Sequence, residues 1–529
     1  MTTRERWTRW LAGAVSGLLA GAVALGVAQL TAGVSGPLGS PLVAVGDVAI
    51  NLTPVPVKEF AIAHFGSHDK DALLTGVLAV LLVAAAAAAA GLLAVRRTWP
   101  GLAVLAVFGA VGAAAAVRQP GATALDVLPT LAGVAAAALA LTAMAHAVQR
   151  GAAAGAGAAA GSDTGAGASP GAATWPGRRR FLVTGAGAAA VAVGGGLSGR
   201  LLLGRFSVAS SRAQVRLPAP AVPAPRVPPG ADLRISGLTP FFTSDASFYR
   251  VDTDLVLPQV APDSWTLRID GMVSRPLEIT FGQLLRMPLT EADITLVCVS
   301  NEVGGPYAGN ARWLGAPLAA LLRRAGPRAG ADQVLSAAAD GMTISTPLGT
   351  ILDSRNALLA VGMNGQPLPI EHGFPARMLV PGLYGYVSAT KWVTRLTVTT
   401  FARQRAYWTQ RGYAERAPIK TESRIDVPRP LARVPAGRTP VAGVAWAPSR
   451  GIAAVEVSAD NGPWHAARLS AADGVDTWRQ WMWAWDATPG LHQLRVRATD
   501  SAGVTQTPRD AASFPDGASG WDSVVVTVT

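Results

Sequence analysis

Five long stretches almost free of charge mark the first 205 residues: 10–32, 72–95, 101–117, 123–148 and 182–203. A helix needs about 20 apolar residues to cross a bilayer, with about 17 as the lower limit. The pattern therefore predicts five membrane helices, the third being the shortest, bounded by Pro100 and by Arg118 and Pro120. Buried Ala-rich helices of a water-soluble protein are the competing reading, and five in succession weigh against it. The organisation expected is a four-helix membrane domain (1–150), a Gly/Ala-rich cytoplasmic linker (151–181) and a fifth membrane helix (182–204). A tether at 205–235 follows, rich in Pro, including Pro218, Pro220, Pro223, Pro225, Pro228 and Pro229.

From 236 the hydrophobic runs shorten and begin to alternate. Trp265–Gly271, Ile294–Val299, Met378–Val380 and Trp392–Thr399 read as strands, Phe281–Met287 and Leu314–Ala325 as helices. Without a regular strand–helix alternation, α+β is the class expected for 236–425. Beyond 430, short strands at 439–446, 453–459, 464–469, 480–485, 491–498 and 524–528 predict an all-β, immunoglobulin-like sandwich over 430–529. Trp446, Trp464, Trp478, Trp481, Trp483, Trp485 and Trp521 concentrate there as core or interface aromatics. The fold expected is thus multidomain: an all-α five-helix membrane domain, an α+β domain and an all-β sandwich.

Charge adds an orientation. Only 15% of the 529 residues are charged, against about 25% in ordinary soluble domains, and the net charge is +12. With the N-terminus inside, one side receives Arg4, Arg6, Arg9, Arg96, Arg97, Arg150 and Arg178 to Arg180. The other receives Lys58, Lys70 and Arg118 among Asp47, Glu59, Asp69 and Asp71. Positive charge favours the cytoplasm, so five crossings leave everything after about 206 outside a multi-pass cytoplasmic-membrane protein. Arg178-Arg179-Arg180-Phe181-Leu182 before an apolar run also resembles a twin-arginine export signal; plain orientation by charge is the alternative. No basic recognition helix appears, which argues against nucleic acid. Histidines in the membrane half are His64, His68 and His146, in a loop or at a helix end, so no haem is expected. No carboxylate chain crosses the segments, which argues against a transporter.

Two constellations carry chemistry. The single cysteine stands in Leu296-Val297-Cys298-Val299-Ser300-Asn301-Glu302-Val303-Gly304-Gly305. A lone cysteine is most often a small buried hydrophobe, and one cysteine excludes disulfides, Cys-rich zinc sites and Cys-ligated iron–sulfur clusters. Here a strand runs into a polar, Gly-rich loop, a place where a thiolate serves as nucleophile or soft metal ligand. The second is Glu371-His372-Gly373-Phe374-Pro375-Ala376-Arg377, continuing through Pro381-Gly382, Tyr384-Gly385-Tyr386 and Ser388 to Lys391-Trp392. Cations among glycines that admit close backbone approach suit a phosphate-bearing cofactor.

On these residues the chain resembles the sulfite oxidase family of molybdenum enzymes, over about 237–529. The resemblance implies a molybdenum–molybdopterin cofactor, with Cys298 as the metal ligand and Asn301, His372, Arg377, Ser388 and Lys391 in cofactor binding. Arg250, in Phe248-Tyr249-Arg250, is similar to the family's active-site arginine, and Tyr413, after Trp408, to its active-site tyrosine. It implies oxo transfer to or from a small molecule, a separate electron partner such as a cytochrome or membrane redox protein, and a homodimer formed through the C-terminal sandwich. Animal sulfite oxidases carry arginines just after the Asn of the cysteine motif, where this chain has Glu302-Val303-Gly304-Gly305. Both sulfite oxidation and S- or N-oxide reduction therefore stay open, with a neutral substrate expected to be handled better. A non-catalytic membrane scaffold built on the same domain is the rival reading; Cys298, Arg377 and Lys391 argue against it.

Overall fold

The computed structural model describes residues 3–36, 39–54, 56–58, 60, 73–83, 86, 99–120, 122–160 and 178–529. The chain divides into two compact units, Met1–Ser207 with Thr253–Val256, and Val208–Asp252 with Leu257–Thr529.

The first unit is helical. Among the described residues, four helices are long and apolar enough to cross a membrane: Trp10–Ser35, Trp99–Ala116, Ala124–Val148 and Arg179–Gln214. They fall on four of the five expected segments. Of the remaining one, 72–95, half lies outside the described residues, and Leu73–Val83 form a shorter apolar helix. A further helix, Pro41–Leu52, was not anticipated. Its 12 residues are too few for a span, and Pro at its first turn is compatible with a helix start because that N–H has no partner to lose. The expected linker differs as well: the helix that begins at Leu128 runs on to Ala160, as alanine's high helix propensity favours. The rest of that linker, 161–177, lies outside the described residues, as does the side chain of Arg178.

The second unit is built of strands. Its first part holds β1 (Thr266–Gly271), β2 (Leu277–Thr280), β3 (Thr290–Val297), β4 (Ala308–Pro317), β5 (Gln333–Ala338), β6 (Thr343–Pro347), β7 (Leu358–Met363), β8 (Gln366–Pro367), β9 (Arg377–Leu379) and β10 (Val393–Thr399). They form two sheets, ordered β2-β1-β10-β5-β6 and β3-β4-β7-β8, with β9 on β7. Residues 314–317, expected to be helical, close β4 instead, and the helix is Leu318–Ala325. The apolar run there continues across both elements, so periodicity alone did not place their junction. Ile294, Leu296, Trp313, Leu358, Met363, Phe374 and Leu379 make the core beneath the second sheet.

The C-terminal part holds β11 (Glu422–Val427), β12 (Arg433–Val434), β13 (Gly437–Trp446), β14 (Ile452–Ala459), β15 (His465–Ala466), β16 (Arg468–Leu469), β17 (Arg479–Ala487), β18 (Gly490–Asp500) and β19 (Asp522–Val528). Its sheets, β11-β13-β17-β16 and β12-β19-β18-β14-β15, share a core that includes Val441, Val455, Trp481, Trp485, Val496 and Val526.

The Pro-rich segment is no free tether. Ala221 N–H donates to Leu289 O (2.8 Å), Glu291 N–H donates to Val222 O (2.8 Å), and Leu233 N–H reaches Gln480 Oε1 (2.6 Å). Proline suits such a position, since along a sheet edge its missing N–H costs nothing.

Candidate active site

Strand β3 delivers Cys298 to its C-terminal end, with the thiol side chain buried. The loop that follows is tied across its base. Cys298 N–H donates to Tyr307 O (2.9 Å), Asn301 N–H donates to Cys298 O (3.1 Å), and Asn301 Oδ1 accepts from Tyr307 N–H (2.7 Å). The C-terminal sheets grip the same segment from behind. Thr295 N–H donates to Asp476 O (2.9 Å), Thr295 Oγ1 accepts from Trp478 N–H (2.7 Å), and Gly305 O accepts from Arg424 (2.8 Å). Gly304 has φ +75°, and a β-carbon there would collide with the Asp522 carboxylate. Glycine is required twice over, by backbone conformation and by space.

Burial pushes the Cys298 thiol above its ordinary range, against the hydrogen bonds of Ser300 and Val299. Tyr249 joins this neighbourhood. Its phenol is held well above the usual range by burial and by Cys298, with Arg377 pulling the other way. Its ring stacks on Phe248 at 5.2 Å. A β-carbon on Gly385 would lie 3.7 Å from Val297 O and 3.9 Å from Tyr249 Oη, so the Gly385 backbone closes the wall between them.

The second constellation packs against Phe248. His372, 2% exposed, donates from Nε2 to Asp245 O (3.1 Å) and meets the Phe248 ring edge-on at 5.5 Å. Burial first, then the Arg377 charge, push its pKa down to about 4, so the ring is neutral at physiological pH. Arg377 is buried, with its guanidinium 5.5 Å from the Trp313 ring centroid and Nη1 3.4 Å from His372 O. Its Nε has no hydrogen-bond partner, and among the described residues no carboxylate pairs with it. Burial lowers its pKa to about 10, which leaves it cationic. An unpaired buried cation is costly, and an incoming anion removes that cost.

The other candidates are distributed as follows. Lys391 Nζ lies 2.9 Å from Asp252 Oδ2 and 3.3 Å from Glu371 O. Arg250 Nε lies 2.8 Å from the same Asp252 oxygen, with its side chain 40% exposed. One buried carboxylate thus links both cations. The Ser388 hydroxyl donates to Leu383 O (2.9 Å) and Tyr384 O (3.0 Å), so its proton is committed within its own turn. Tyr413 is buried among Tyr386 (5.4 Å), Trp408 (5.2 Å) and Phe514 (5.0 Å). Cys298 and Arg377 thus meet at Tyr249 and His372 packs on Phe248, while Asn301 ties the cysteine loop to Tyr307; Arg250 and Lys391 share Asp252, and Tyr413 connects to the cysteine strand through Tyr386 and Gly385.

The sequence does not single out Tyr249 and Asp252, although both flank Arg250, because their roles come from partners elsewhere in the chain, Cys298 and Lys391. Nor does it single out Glu422, a buried carboxyl whose pKa burial raises to about 8, 3.4 Å from Tyr384 Oη and beside Asn301. No local pattern marks that residue; the fold brings it to the loop from β11.

The neutral burial of His372 has a measurable consequence. Between pH 6.5 and about 4 the unfolded chain carries a proton on this ring that the folded chain does not. Its contribution is therefore full above pH 6.5 and is lost as pH falls toward 4, by about 3 kcal/mol. Unfolding of the cofactor-free full chain in detergent should show that acid slope, and His372→Gln, which keeps a donor for Asp245 O, should flatten it. Equal slopes in both proteins would show that the ring titrates normally.

Comparison with known proteins bears on this geometry. The family described as oxidoreductase molybdopterin binding domain matches residues 254–408. The chain is 30% identical over 312 residues to sulfite oxidase from Gallus gallus, spanning 50% of this chain and 67% of that protein. It is 30% identical over 171 residues to the NADH nitrate reductase of Solanum lycopersicum, spanning 27% of this chain and 19% of that one. The crystal structure of the sulfane dehydrogenase SoxCD from Paracoccus pantotrophus aligns at TM-score 0.49 and 24% identity, over 55% of this chain and 84% of that chain.

Proposed function

The chain belongs to the sulfite oxidase family of molybdopterin oxidoreductases, and on that premise we propose a membrane-anchored enzyme that transfers an oxo group to or from a small substrate outside the cytoplasmic membrane. One observation carries the reading: a buried Arg377 with an unpartnered Nε, in the same neighbourhood as the chain's single, buried cysteine. The donor set fits the family's cofactor, since a soft thiolate suits molybdenum and a desolvated guanidinium suits a phosphate. When bound, the cofactor supplies two-electron redox chemistry at the metal.

The protein's part is placement and electrostatics. Cys298 holds the metal from the end of a strand whose loop is tied at its base. Arg377 and Lys391 take the cofactor's negative charge, while neutral His372 offers Nδ1 as a hydrogen-bond acceptor. Asn301 fixes the cysteine loop through Tyr307. Ser388 supports the turn that carries Gly385, and its role toward the cofactor is indirect. Arg250, steered by Asp252, and Tyr413 flank the substrate position, Tyr413 as a hydrogen-bond donor. Residues 236–425 form the catalytic domain and 430–529 an immunoglobulin-like domain of the type that dimerises. The apolar helices anchor both, with Arg178 to Arg180 as the export signal, and a separate redox protein exchanges electrons.

The aromatic enclosure of Tyr413 and the exposed Glu302 favour a neutral substrate over a small anion. A charge-assisted hydrogen bond is worth about 1.5–3 kcal/mol, so lacking one weakens sulfite binding roughly 10- to 150-fold. Protein from a cofactor-competent host should contain about one molybdenum and one pterin per chain, and should turn over a sulfoxide with higher kcat/KM than sulfite. Absence of molybdenum would favour the scaffold reading. A micromolar KM for sulfite with rapid turnover would overturn the substrate assignment alone.

A further inference from the structure

One strand of the C-terminal sheets meets the loop after Cys298 near both of its ends. Residues two apart on a strand share a face, and on β11 these include Glu422 and Arg424. Arg424 Nη1 donates to Gly305 O (2.8 Å), near the far end of the loop. Glu422 meets the side chain of Asn301, near its start. Asn301 is buried, and the two ends of its amide are held differently. Oδ1 accepts from Tyr307 N–H (2.7 Å), and a β-carbon on Gly305 would lie 2.9 Å from that oxygen. Nδ2 is buried too but has no hydrogen bond of ordinary geometry, and the carboxyl beside the amide is that of Glu422, whose pKa the amide lowers. Glu422 is itself buried, with Oε1 3.4 Å from Tyr384 Oη. Burial above all raises its pKa to about 8, against Tyr384, Asn301 and Lys420, so at neutral pH it is mostly an uncharged acid. A buried polar group is costly unless it is bonded, which makes a carboxyl a poor choice for filling space alone.

We propose that Glu422 is a positioning residue: it is the acceptor that fixes which way the Asn301 amide faces, and thereby how the loop presents the Cys298 thiol. The chemistry of an amide calls for such an acceptor. Turned over, Asn301 would set its NH2 group against Tyr307 N–H, donor against donor, and the tie across the loop would be lost. An apolar side chain at 422 would leave Nδ2 with no acceptor, so the amide would gain by turning toward water and releasing Tyr307. Glu422 acts through Asn301 and has no contact of its own with Cys298. Its effect on turnover rests on the reading of Cys298 as the metal ligand; its effect on the loop does not.

The test follows the thiol in two states of the full chain. In cofactor-free protein in detergent, iodoacetamide labels the single cysteine at a rate that reports opening of the loop. Glu422→Met should speed labelling about tenfold, the equivalent of one hydrogen bond. Glu422→Gln, whose side-chain oxygen still accepts, should label at the unaltered rate. Asn301→Ala should label at least as fast as Glu422→Met, and the double variant no faster than Asn301→Ala, because both changes remove the same contact. In molybdenum-loaded protein, Glu422→Met should lower kcat with KM unchanged and alter the molybdenum(V) electron paramagnetic resonance spectrum, and Glu422→Gln should restore both. If Glu422→Met does not fold, Glu422→Ala, which adds no bulk, takes its place. Unaltered labelling in the apolar variant, fast labelling in Glu422→Gln, or additive effects in the double variant would each overturn the proposal. The expected labelling pattern in a chain that never takes up molybdenum would support the proposal and overturn the reading of Cys298 as a ligand.

Discussion

Cys298→Ala is expected to lose turnover by at least about a thousandfold, as expected when an activated group at the reacting centre is removed. The residue is the chain's only thiol, so no other thiol can take over the ligand role proposed for it. The substitution is also mild structurally: the backbone bonds of residue 298 to Tyr307 and Asn301 do not involve the side chain. Removing one buried sulfur costs no more than about 1–2 kcal/mol of stability. Loss of activity with near-unchanged melting therefore assigns the effect to the metal rather than to folding. Molybdenum(V) electron paramagnetic resonance should change at the same time, because the thiolate leaves the metal's surroundings. Retained activity would remove Cys298 from the site.

Arg377→Met should produce two effects of opposite sign. Methionine keeps much of the packing against Trp313 and removes the charge. Without cofactor, the unaltered chain carries a buried guanidinium whose Nε is unsatisfied, and replacing such a group with an apolar one of similar volume is often stabilising by about 1–4 kcal/mol. The cofactor-free variant should therefore melt higher. With cofactor, the same change removes a charge-assisted contact to an anion, worth about 1.5–3 kcal/mol, and pterin affinity should fall roughly 10- to 150-fold. Melting and bound-pterin analysis on the same preparations check both arms. A variant that melts lower and binds pterin normally would make Arg377 a packing residue.

What the sequence disclosed depended on how local each signal was. Cys298 and the His372-to-Lys391 run were legible because their chemistry is concentrated within a few residues, and the family resemblance rested on them. The alternation of 430–529 announced strands because each buries one face. Asp252 and Glu422 were not legible, because their importance comes from partners at Lys391 and Asn301, far away in the chain. The family resemblance implied a cofactor-binding role for Ser388, yet its hydroxyl proton is spent on Leu383 and Tyr384. The Pro-rich segment read as loose because proline removes donors, whereas its non-proline residues bind the edge of β3. Pro41–Leu52 escaped notice because a length threshold for crossing says nothing of shorter helices.

The grip on the cysteine segment constrains how this protein can vary. Thr295 is held by Asp476 and Trp478 and Gly305 by Arg424, while Asp522 crowds Gly304, and these four residues arrive from three separate places in the last hundred or so residues. The C-terminal sheets therefore back the proposed reaction centre, and they are not an appendage that could be exchanged for another module. A lineage that drops or swaps them inherits a thiol on an unsupported loop. Recombination should accordingly be tolerated ahead of Val208, where the helical unit joins, and punished within the long stretch that follows.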